Sequence, residues 1–278
     1  MKVVTRCTLA AVTLFGGAIG LAADRPAPAT TRPAAETIRI PKTTVEFTMV
    51  RVPGGRITLK DDQGKETAHD VKPFRIGKHE LTWDEYEIYY RGDDLDPGNR
   101  RREQMRAESR PSSPYENPDR GWGHRGWPAG SITFRQAGLY AKWLTAKTGK
   151  KFRLPTEAEW EWAARAGADK PLSVTQRDAA KVAWHADNSE EQTRAVGKLA
   201  PNPWGLYDTL GNVAEWVVTA DGTGAVAGGS YVTEWKELGT AHRERYSPAW
   251  QRRDCQLPKS IDWLTDGMHV GIRLVMEE

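Results

Sequence analysis

Residues 153–167 read RLPTEAEWEWAARAG, and residues 201–216 read PNPWGLYDTLGNVAEW. In the first stretch, Thr156 precedes Glu159 by three residues, a capping box in which hydroxyl and carboxylate satisfy backbone N–H groups where a helix starts. This pattern predicts a short helix that ends at Gly167. The second stretch places proline, glycine and asparagine between short apolar runs, so it predicts turns rather than another helix.

Two further helices are predicted upstream by the same spacing. Thr82 precedes Glu85, and Thr133 precedes Gln136. The second of these helices carries one apolar stripe, because its apolar residues recur at spacings of three and four. These residues are Phe134, Ala137, Ala141 and Leu144, and Gly149 is the predicted end of the helix.

The remaining residues indicate short strands and long loops. Residues 45–52 alternate loosely in polarity and run into Pro53, Gly54 and Gly55, which predicts a hairpin. After Gly167 the helical signal fades. With 26 Gly, 17 Pro and 12 Trp among 278 residues, the chain is expected to form one α+β domain with few short helices and strands, whose loops pack on tryptophans.

The first residues predict export. Lys2 and Arg6 precede an apolar run over residues 9–23 that ends in small residues, as in a secretory signal peptide. The alternative is an uncleaved membrane anchor, but the run is shorter than the ~20 apolar residues that a spanning helix needs. We therefore expect a periplasmic or secreted protein without a membrane span after cleavage. Its parts are a signal peptide (1–23), a Pro/Ala/Thr-rich linker (24–42) and a domain (43–278).

Charge and cysteine content exclude some classes of site. The formal net charge is +3, and the leader supplies two of the positive charges, so the mature domain is near neutral and no nucleic-acid partner is expected. Cleavage also removes Cys7 and leaves Cys255 as the single cysteine. A site that needs two thiolates is then impossible within one mature chain.

Five motifs, in order and spacing, resemble the formylglycine-generating enzyme (sulfatase-modifying factor) family. They are IGKHELTWDEY at 76–86, the two stretches at 153–167 and 201–216, GGSY at 228–231 and GIRLV at 271–275. The resemblance covers about residue 43 to the C terminus. It implies a variant of the C-type lectin fold with little regular secondary structure. It also implies kinship with oxygen-dependent copper oxidases that convert a substrate cysteine to formylglycine.

The resemblance implies a structural calcium ion at Asp208, Gly211, Val213 and Glu215. Calcium takes carboxylate and backbone carbonyl oxygens, and a tight turn can present two carbonyls between flanking carboxylates. The family usually has asparagine where this chain has Asp208, and aspartate keeps the oxygen and adds charge. The alternative is a Gly-Asn turn in which Glu215 bonds to backbone. The family's second calcium site has no carboxylate that we can place here.

The cysteine pair that gives the family its oxidase chemistry is not matched. The positions that correspond to it are Thr233 and Leu238, and neither side chain binds copper(I), which prefers soft thiolates. Copper is therefore not expected. Cys255 lies too far along the chain to match either position by simple counting.

A substrate groove is expected around the same segment, since the family often has arginines there. Arginine recognises carboxylates in a planar, bidentate manner. The candidate residues are His242, Arg243, Arg245, Trp235 and Cys255. The alternative for the charged residues is a solvated strand edge with salt bridges, and the alternative for the tryptophan is a place in the core.

Two functions follow from the sequence. In the first, the chain is an exported binding or accessory module that holds a peptide, glycan or protein partner in a lectin-like groove. In the second, it is an active oxidase or maturation enzyme that uses Cys255 or another chemistry. The unmatched cysteine pair favours the first.

Overall fold

A computed structural model of the protein describes residues 33–61, 63–93, 111 and 116–278. The predicted signal peptide over 1–23 and the first part of the predicted linker lie outside these residues. Within the described residues, none of the helices has the length and apolar character that a bilayer-spanning segment requires.

Short strands and short helices alternate along the described chain. In order they are β1 (Ala35–Arg39), β2 (Glu46–Val52), β3 (Gly55–Lys60), β4 (Glu66–Val71), β5 (Phe74–Gly77), α1 (Trp83–Arg91), α2 (Phe134–Thr148), β6 (Phe152–Arg153), α3 (Glu157–Ala164), α4 (Gln176–Val182), β7 (Ala214–Val218), β8 (Gly224–Ala227), β9 (Arg243–Arg245), a 3₁₀ turn (Pro248–Gln251), β10 (Val270–Gly271) and β11 (Val275–Glu277). Long loops join them, as the α+β prediction requires.

The strands form three sheets. The largest has the order β1-β2-β5-β11-β6, the second has the order β10-β7-β8-β9, and β3 pairs with β4 alone. β11 at the C-terminal end lies between β5 and β6, with Val275 opposite both Ile76 and Arg153. The first and last parts of the domain are therefore held in one sheet.

The ordered fold begins earlier than the sequence prediction places it. β1 lies within the stretch 24–42 predicted as a linker, and it pairs with β2 from Ala35 opposite Val50 to Arg39 opposite Glu46. Ile38 is buried in the main core. The last part of the linker prediction is wrong, because alternating apolar side chains make this short segment an edge strand.

The hairpin predicted after residue 52 is also not formed by β2. β2 pairs with β1 and β5, whereas β3 turns away and pairs with β4. The bend between β2 and β3 is fixed by Trp162, whose indole Nε1 donates to the Pro53 carbonyl over 2.8 Å. A Cβ at Gly55 would lie 2.2 Å from the Trp162 ring, so only glycine permits this close approach.

The predicted helix starts are confirmed, with one difference. Thr82 and Thr156 form complete capping boxes. At α2, Thr133 accepts from the Gln136 N–H, but the Gln136 side chain donates to Asp262 over 2.5 Å. Gln136 therefore joins a helix to a distant loop instead of completing the box.

The helix ends differ slightly from the prediction, and one helix was missed. α2 ends at Gly149 in the left-handed conformation, as predicted, whereas α3 ends at Ala164, before Gly167. α4 follows in the region where the sequence indicated loops. Thr175 caps it by accepting from the Asp178 N–H, a Thr-x-x-Asp spacing that is readable in the sequence.

The core is rich in tryptophan and tyrosine. Rings from α1 and α2 pack together, with the Tyr86 and Tyr140 centroids 5.4 Å apart. A second cluster packs Trp162 against Trp204 at 5.7 Å beneath the β3–β4 hairpin. Such tilted and edge-to-face aromatic pairs add about 0.5–1.5 kcal/mol each beyond the area they bury.

Candidate functional site

A buried charged centre joins the two larger sheets. Arg273 precedes β11, and its guanidinium donates to both Glu215 oxygens over 2.6–2.9 Å. Glu215 also accepts from the Trp160 indole over 2.6 Å. The remaining Arg273 N–H groups donate to backbone carbonyls, including those of Gly77 and Tyr207. Both charged side chains are almost fully buried.

Two more carboxylates surround this ion pair. Glu80 accepts from the Val213 N–H over 2.9 Å and from the Asn212 amide over 2.7 Å. Asp208 accepts from the Gly197 N–H through one oxygen, whereas its other oxygen is buried without a partner. Burial raises the pKa of Glu80 well above its usual range, and the charges of Asp208 and Glu215 reinforce the rise. Burial likewise raises the pKa of Asp208.

These contacts test the four predicted calcium ligands. Asp208 fits a cation, since it offers a buried oxygen without a partner in a centre where three carboxylates share one guanidinium. Glu215 does not fit, because Arg273 and Trp160 already use its oxygens. Among the described residues, no group of three or more His, Cys, Asp and Glu side chains is arranged to hold a metal. Gly211 and Val213 have no side-chain oxygen, so a cation could bind only their backbone carbonyls.

The two positions that the resemblance matches to the cysteine pair, Thr233 and Leu238, lie together. A Cβ at Gly229 would be 2.9 Å from Leu238 and 3.1 Å from the Thr233 methyl group, so both side chains pack on this glycine. The Thr233 hydroxyl accepts from the Ser230 N–H over 2.9 Å. Leu238 is buried in an apolar cluster with α4 residues such as Ala179. The positions are filled by a hydrogen-bonded hydroxyl and an aliphatic side chain.

A cleft of about 1140 Å³ lies between the β3–β4 hairpin, the start of α3 and β9. Three predicted groove residues, His242, Arg243 and Arg245, line it. Arg243 is not free to bind a ligand, because it donates to Glu161 over 2.7 Å and lies 5.3 Å from the Trp160 ring centroid. The Arg245 guanidinium is exposed and donates to the Thr223 hydroxyl over 3.1 Å.

The other predicted groove residues lie elsewhere. Trp235 packs against the apolar cluster of Leu238 and α4. Cys255 is exposed and lines a separate cavity of about 240 Å³, together with Arg120 and Trp263. The structure therefore divides the predicted single groove among a cleft, a buried cluster and a second cavity.

Sequence reasoning missed the residues that hold the cleft wall rigid. Glu161 on α3 accepts from Arg165 over 2.5 Å and from Arg243 over 2.7 Å, and all three are buried or nearly so. This pairing fixes β9 against α3. Glu161 and Arg165 are four residues apart in the quoted motif, a spacing that predicts a helical ion pair but gives no sign of Arg243.

The family follows from comparison with known proteins. Residues 34–277 match the model of the sulfatase-modifying factor enzyme 1-like domain. The chain belongs to this family.

Relatives of the sulfatase-modifying factor domain match over shorter stretches. The formylglycine-generating enzyme of Thermomonospora curvata is 38% identical over 104 residues, which is 32% of each chain. The serine/threonine-protein kinase pkn1 of Chlamydia pneumoniae is 39% identical over 94 residues, 34% of this chain and 14% of that protein. The chain thus spans about a third or less of these relatives. The inactive C-alpha-formylglycine-generating enzyme 2 of Mus musculus is 25% identical over 218 residues, 62% of this chain and 68% of that protein.

Solved structures confirm the fold of this sulfatase-modifying factor domain. Treponema denticola variable protein 1 superposes with a TM-score of 0.65 at 22% identity, covering 88% of this chain and all of that one. PvdO from Pseudomonas aeruginosa superposes with a TM-score of 0.64 at 23% identity, covering 87% and 98% of the two chains. The predicted loop-rich architecture is thereby confirmed.

Proposed function

We propose that this sulfatase-modifying factor domain is not a copper oxidase but a binding or accessory module for a peptide, glycan or protein partner. One observation carries the proposal. Thr233 and Leu238 meet at Gly229, where the corresponding family positions hold a cysteine pair, and their side chains are already used in a hydrogen bond and in apolar packing. A hydroxyl and an aliphatic group provide no soft ligand for copper(I).

The cleft between the β3–β4 hairpin, α3 and β9 is the proposed binding groove. Ligand sites in proteins are concave and largely formed in advance, and this cleft has both properties. Its α3 and β9 walls are joined through Glu161 and Arg243, and the base of the hairpin packs on Trp162. Beyond that base, Leu59 and His69 line the cleft with polar and apolar surface.

The oxidase alternative depends on Cys255, and the geometry does not favour it. Cys255 lines the smaller cavity with Arg120, whereas Leu238 is buried with Ala179 on another part of the molecule. The mouse relative that matches 218 residues of the chain carries the word "inactive" in its name. This agrees with a non-oxidase role.

Copper(I) titration tests the proposal. The wild-type protein and a Cys255→Ser variant should bind copper(I) equally weakly, and neither should consume oxygen with a cysteine peptide. A Thr233→Cys/Leu238→Cys double variant is the matched positive control, because it places two thiols at the same glycine. Tight copper binding by the wild type that is lost in Cys255→Ser, with oxygen consumption, would overturn the proposal.

We also propose export and a structural calcium ion. Export rests on the basic start and apolar run of the leader. Calcium rests on the unpartnered Asp208 oxygen and on the excess of buried carboxylates around Arg273. In this proposal Asp208 and the carbonyls of Gly211 and Val213 hold the ion, and Glu215 serves chiefly as the partner of Arg273.

A further inference from the structure

A cavity of about 700 Å³ lies at the start of α1. Its walls come from the start of β2, the segment between β5 and α1, and the loop at Gly126, and Leu144 of α2 also lines it. These residues differ from those that line the cleft of the proposed function. A cavity of this size can hold a small molecule. We call it the Glu85 cavity, after the carboxylate in its wall.

Glu85 is a buried carboxylate with one oxygen in use and one open to the cavity. The residue is 8% exposed. Its Oε1 accepts from the Thr82 N–H over 3.2 Å and from the Thr82 hydroxyl over 2.8 Å. Within the described residues no hydrogen bond reaches Oε2, and this atom is not sealed from water. Because Glu85 lines the cavity, Oε2 offers a free acceptor to a molecule bound there.

Three further carboxylates line the Glu85 cavity, and one of them adds to its negative charge. Asp84 lies beside Glu85 and uses one oxygen to accept from the Gly126 N–H over 2.7 Å. Both Glu80 oxygens already accept hydrogen bonds. Glu46 forms an exposed ion pair with Arg39. A ligand in the cavity therefore meets the carboxylates of Asp84 and Glu85.

The basic side chains that line the cavity are Arg125 and His79, and they do not cancel this charge. Burial, reinforced by the charges of Arg273 and Lys78, lowers the pKa of His79 to about 4. The imidazole is therefore neutral at physiological pH, and one ring nitrogen can accept a hydrogen bond. Arg125 is exposed, so water and salt screen its charge.

The rest of the wall is largely apolar. The side chains that give it this character are Phe47, Met49, Leu81, Leu144 and Leu274. A carboxylate beside an apolar wall suits a cation that also carries an apolar chain, since both parts of such a molecule find a partner. An apolar anion of the same shape would instead be repelled by Asp84 and Glu85.

We propose that the Glu85 cavity binds a small molecule that combines a protonated amine with an apolar chain. The ammonium donates to Oε2 of Glu85, and the chain lies against Phe47 and Leu81. The cavity is separate from the cleft of the proposed function, so either inference can fail without the other.

Binding is coupled to loss of the Glu85 proton. Burial raises the pKa of Glu85 to about 7, since the hydrogen bonds from Thr82 only partly offset burial and the Asp84 charge adds to the rise. Burial also raises the pKa of Tyr140, which faces Glu85 from α2, well above its usual range, so Tyr140 stays neutral. An alkylamine stays protonated throughout. The carboxylate form of Glu85, and with it the affinity, should rise about tenfold from about pH 6 to about pH 8.

Calorimetric titration of the full chain with hexylammonium tests the proposal, and hexanoate is the probe of equal length and opposite charge. Hexylammonium should bind, and at the lower pH its binding should release a proton, seen as a heat that depends on the buffer. Its affinity should be about tenfold higher at the higher pH. Hexanoate should not bind measurably. From butylammonium to hexylammonium, the affinity should rise by about fourfold for each added CH₂ group.

Glu85→Gln is the decisive variant, because glutamine also completes a capping box and so preserves the start of α1. The affinity for hexylammonium should fall by about tenfold or more at the higher pH, because the charged acceptor is lost. Its dependence on pH should disappear. Asp178→Asn is the matched control, since it also changes a carboxylate at a helix start to an amide, at α4 and outside the cavity. It should bind as the wild type does.

Three results would overturn the proposal. They are hexanoate binding as tightly as hexylammonium, a wild-type affinity that does not change with pH, and a Glu85→Gln variant that keeps the wild-type affinity. Weaker binding in Asp178→Asn would also count against it, because that residue does not line the cavity. If Glu85→Gln lowers the melting temperature, the pH dependence and the hexanoate comparison in the wild type still decide.

Discussion

Two clusters in this molecule each place one cationic side chain among carboxylates, and the two clusters differ in how deeply they are buried. Arg273 is completely buried and bonds Glu215 beside Glu80 and Asp208. His124 is half-buried at 35% exposure, and its two ring nitrogens lie 2.9 Å from Glu87 and from Asp119. The pattern of charges is similar, but water screens only the second cluster.

This difference separates a fixed part of the fold from an adjustable one. The Arg273 side chain cannot lose its proton at any ordinary pH, and its removal leaves buried charges without a partner. His124 can gain or lose a proton, and it joins α1 to the loop over residues 116–127. The first cluster is therefore expected to decide whether the domain folds, and the second to adjust its stability.

The comparison predicts the largest effect at Arg273. Arg273→Met should destabilise the protein by about 3–5 kcal/mol, because Glu215 is left as an uncompensated buried charge. Chemical denaturation checks this. Arg56→Met is the matched control, since the Arg56–Asp70 pair is exposed and water screens exposed pairs so that they contribute little to stability. Similar unfolding midpoints for both variants would show that the buried ion pair contributes no more to stability than the exposed one.

Calcium should give the next largest effect, within the buried cluster. Chelation should lower the melting temperature, and calcium at a hundredfold excess over its dissociation constant should restore about 2.7 kcal/mol. Asp208→Gly should abolish this response, because glycine accepts the left-handed backbone at φ 52° but offers no side-chain oxygen. Asp208→Asn keeps that oxygen and should keep part of the response. A wild type that does not respond to chelation has no structural calcium.

Glu215→Ala is the less informative calcium variant. Its carboxylate carries four contacts to Arg273 and Trp160. Its loss should therefore destabilise the protein with or without calcium. The sequence pattern alone points to Glu215 as a ligand, and only the position of Arg273, 58 residues away, shows its other partner.

The sequence predicts the local features of this fold well. The capping boxes at Thr82 and Thr156 and the end of α2 at Gly149 are confirmed, because each depends on residues within a few positions of one another. The pairing of β3 with β4 instead of β2 was not predictable, since it depends on the contact between Pro53 and the distant Trp162.

At the candidate site, too, the sequence predicts local features but not long-range contacts. The motif spacing predicts that Thr233 and Leu238 stand where the family has its cysteine pair, and the structure brings the two side chains to one glycine. The motifs also suggested one groove that includes Arg243 and Cys255. No local pattern reveals that Arg243 is bound to Glu161, or that Cys255 belongs to another cavity.

The smallest effect is expected at His124, and it is a dependence on pH. Burial alone would lower the pKa of His124, but the hydrogen bonds that its ring donates to Asp119 and Glu87 outweigh burial and raise the pKa above its usual 6.5. A raised pKa in the folded protein means that the stabilisation is fully present below the unfolded-state pKa. It is lost as pH rises through the folded-state pKa.

The melting temperature should therefore fall, by about a few degrees at most for a partly exposed group, as pH rises from about 6.5 upward. Glu85 changes protonation in an overlapping range, since burial raises its pKa to about 7, and its contribution has the same sign. The difference in melting temperature between the wild type and His124→Gln, measured at each pH, removes the contribution of Glu85, because the variant keeps Glu85 and loses the imidazolium. A difference that stays constant across this range would show that His124 holds the loop by packing on Trp83, with ring centroids 6.1 Å apart, rather than by charge.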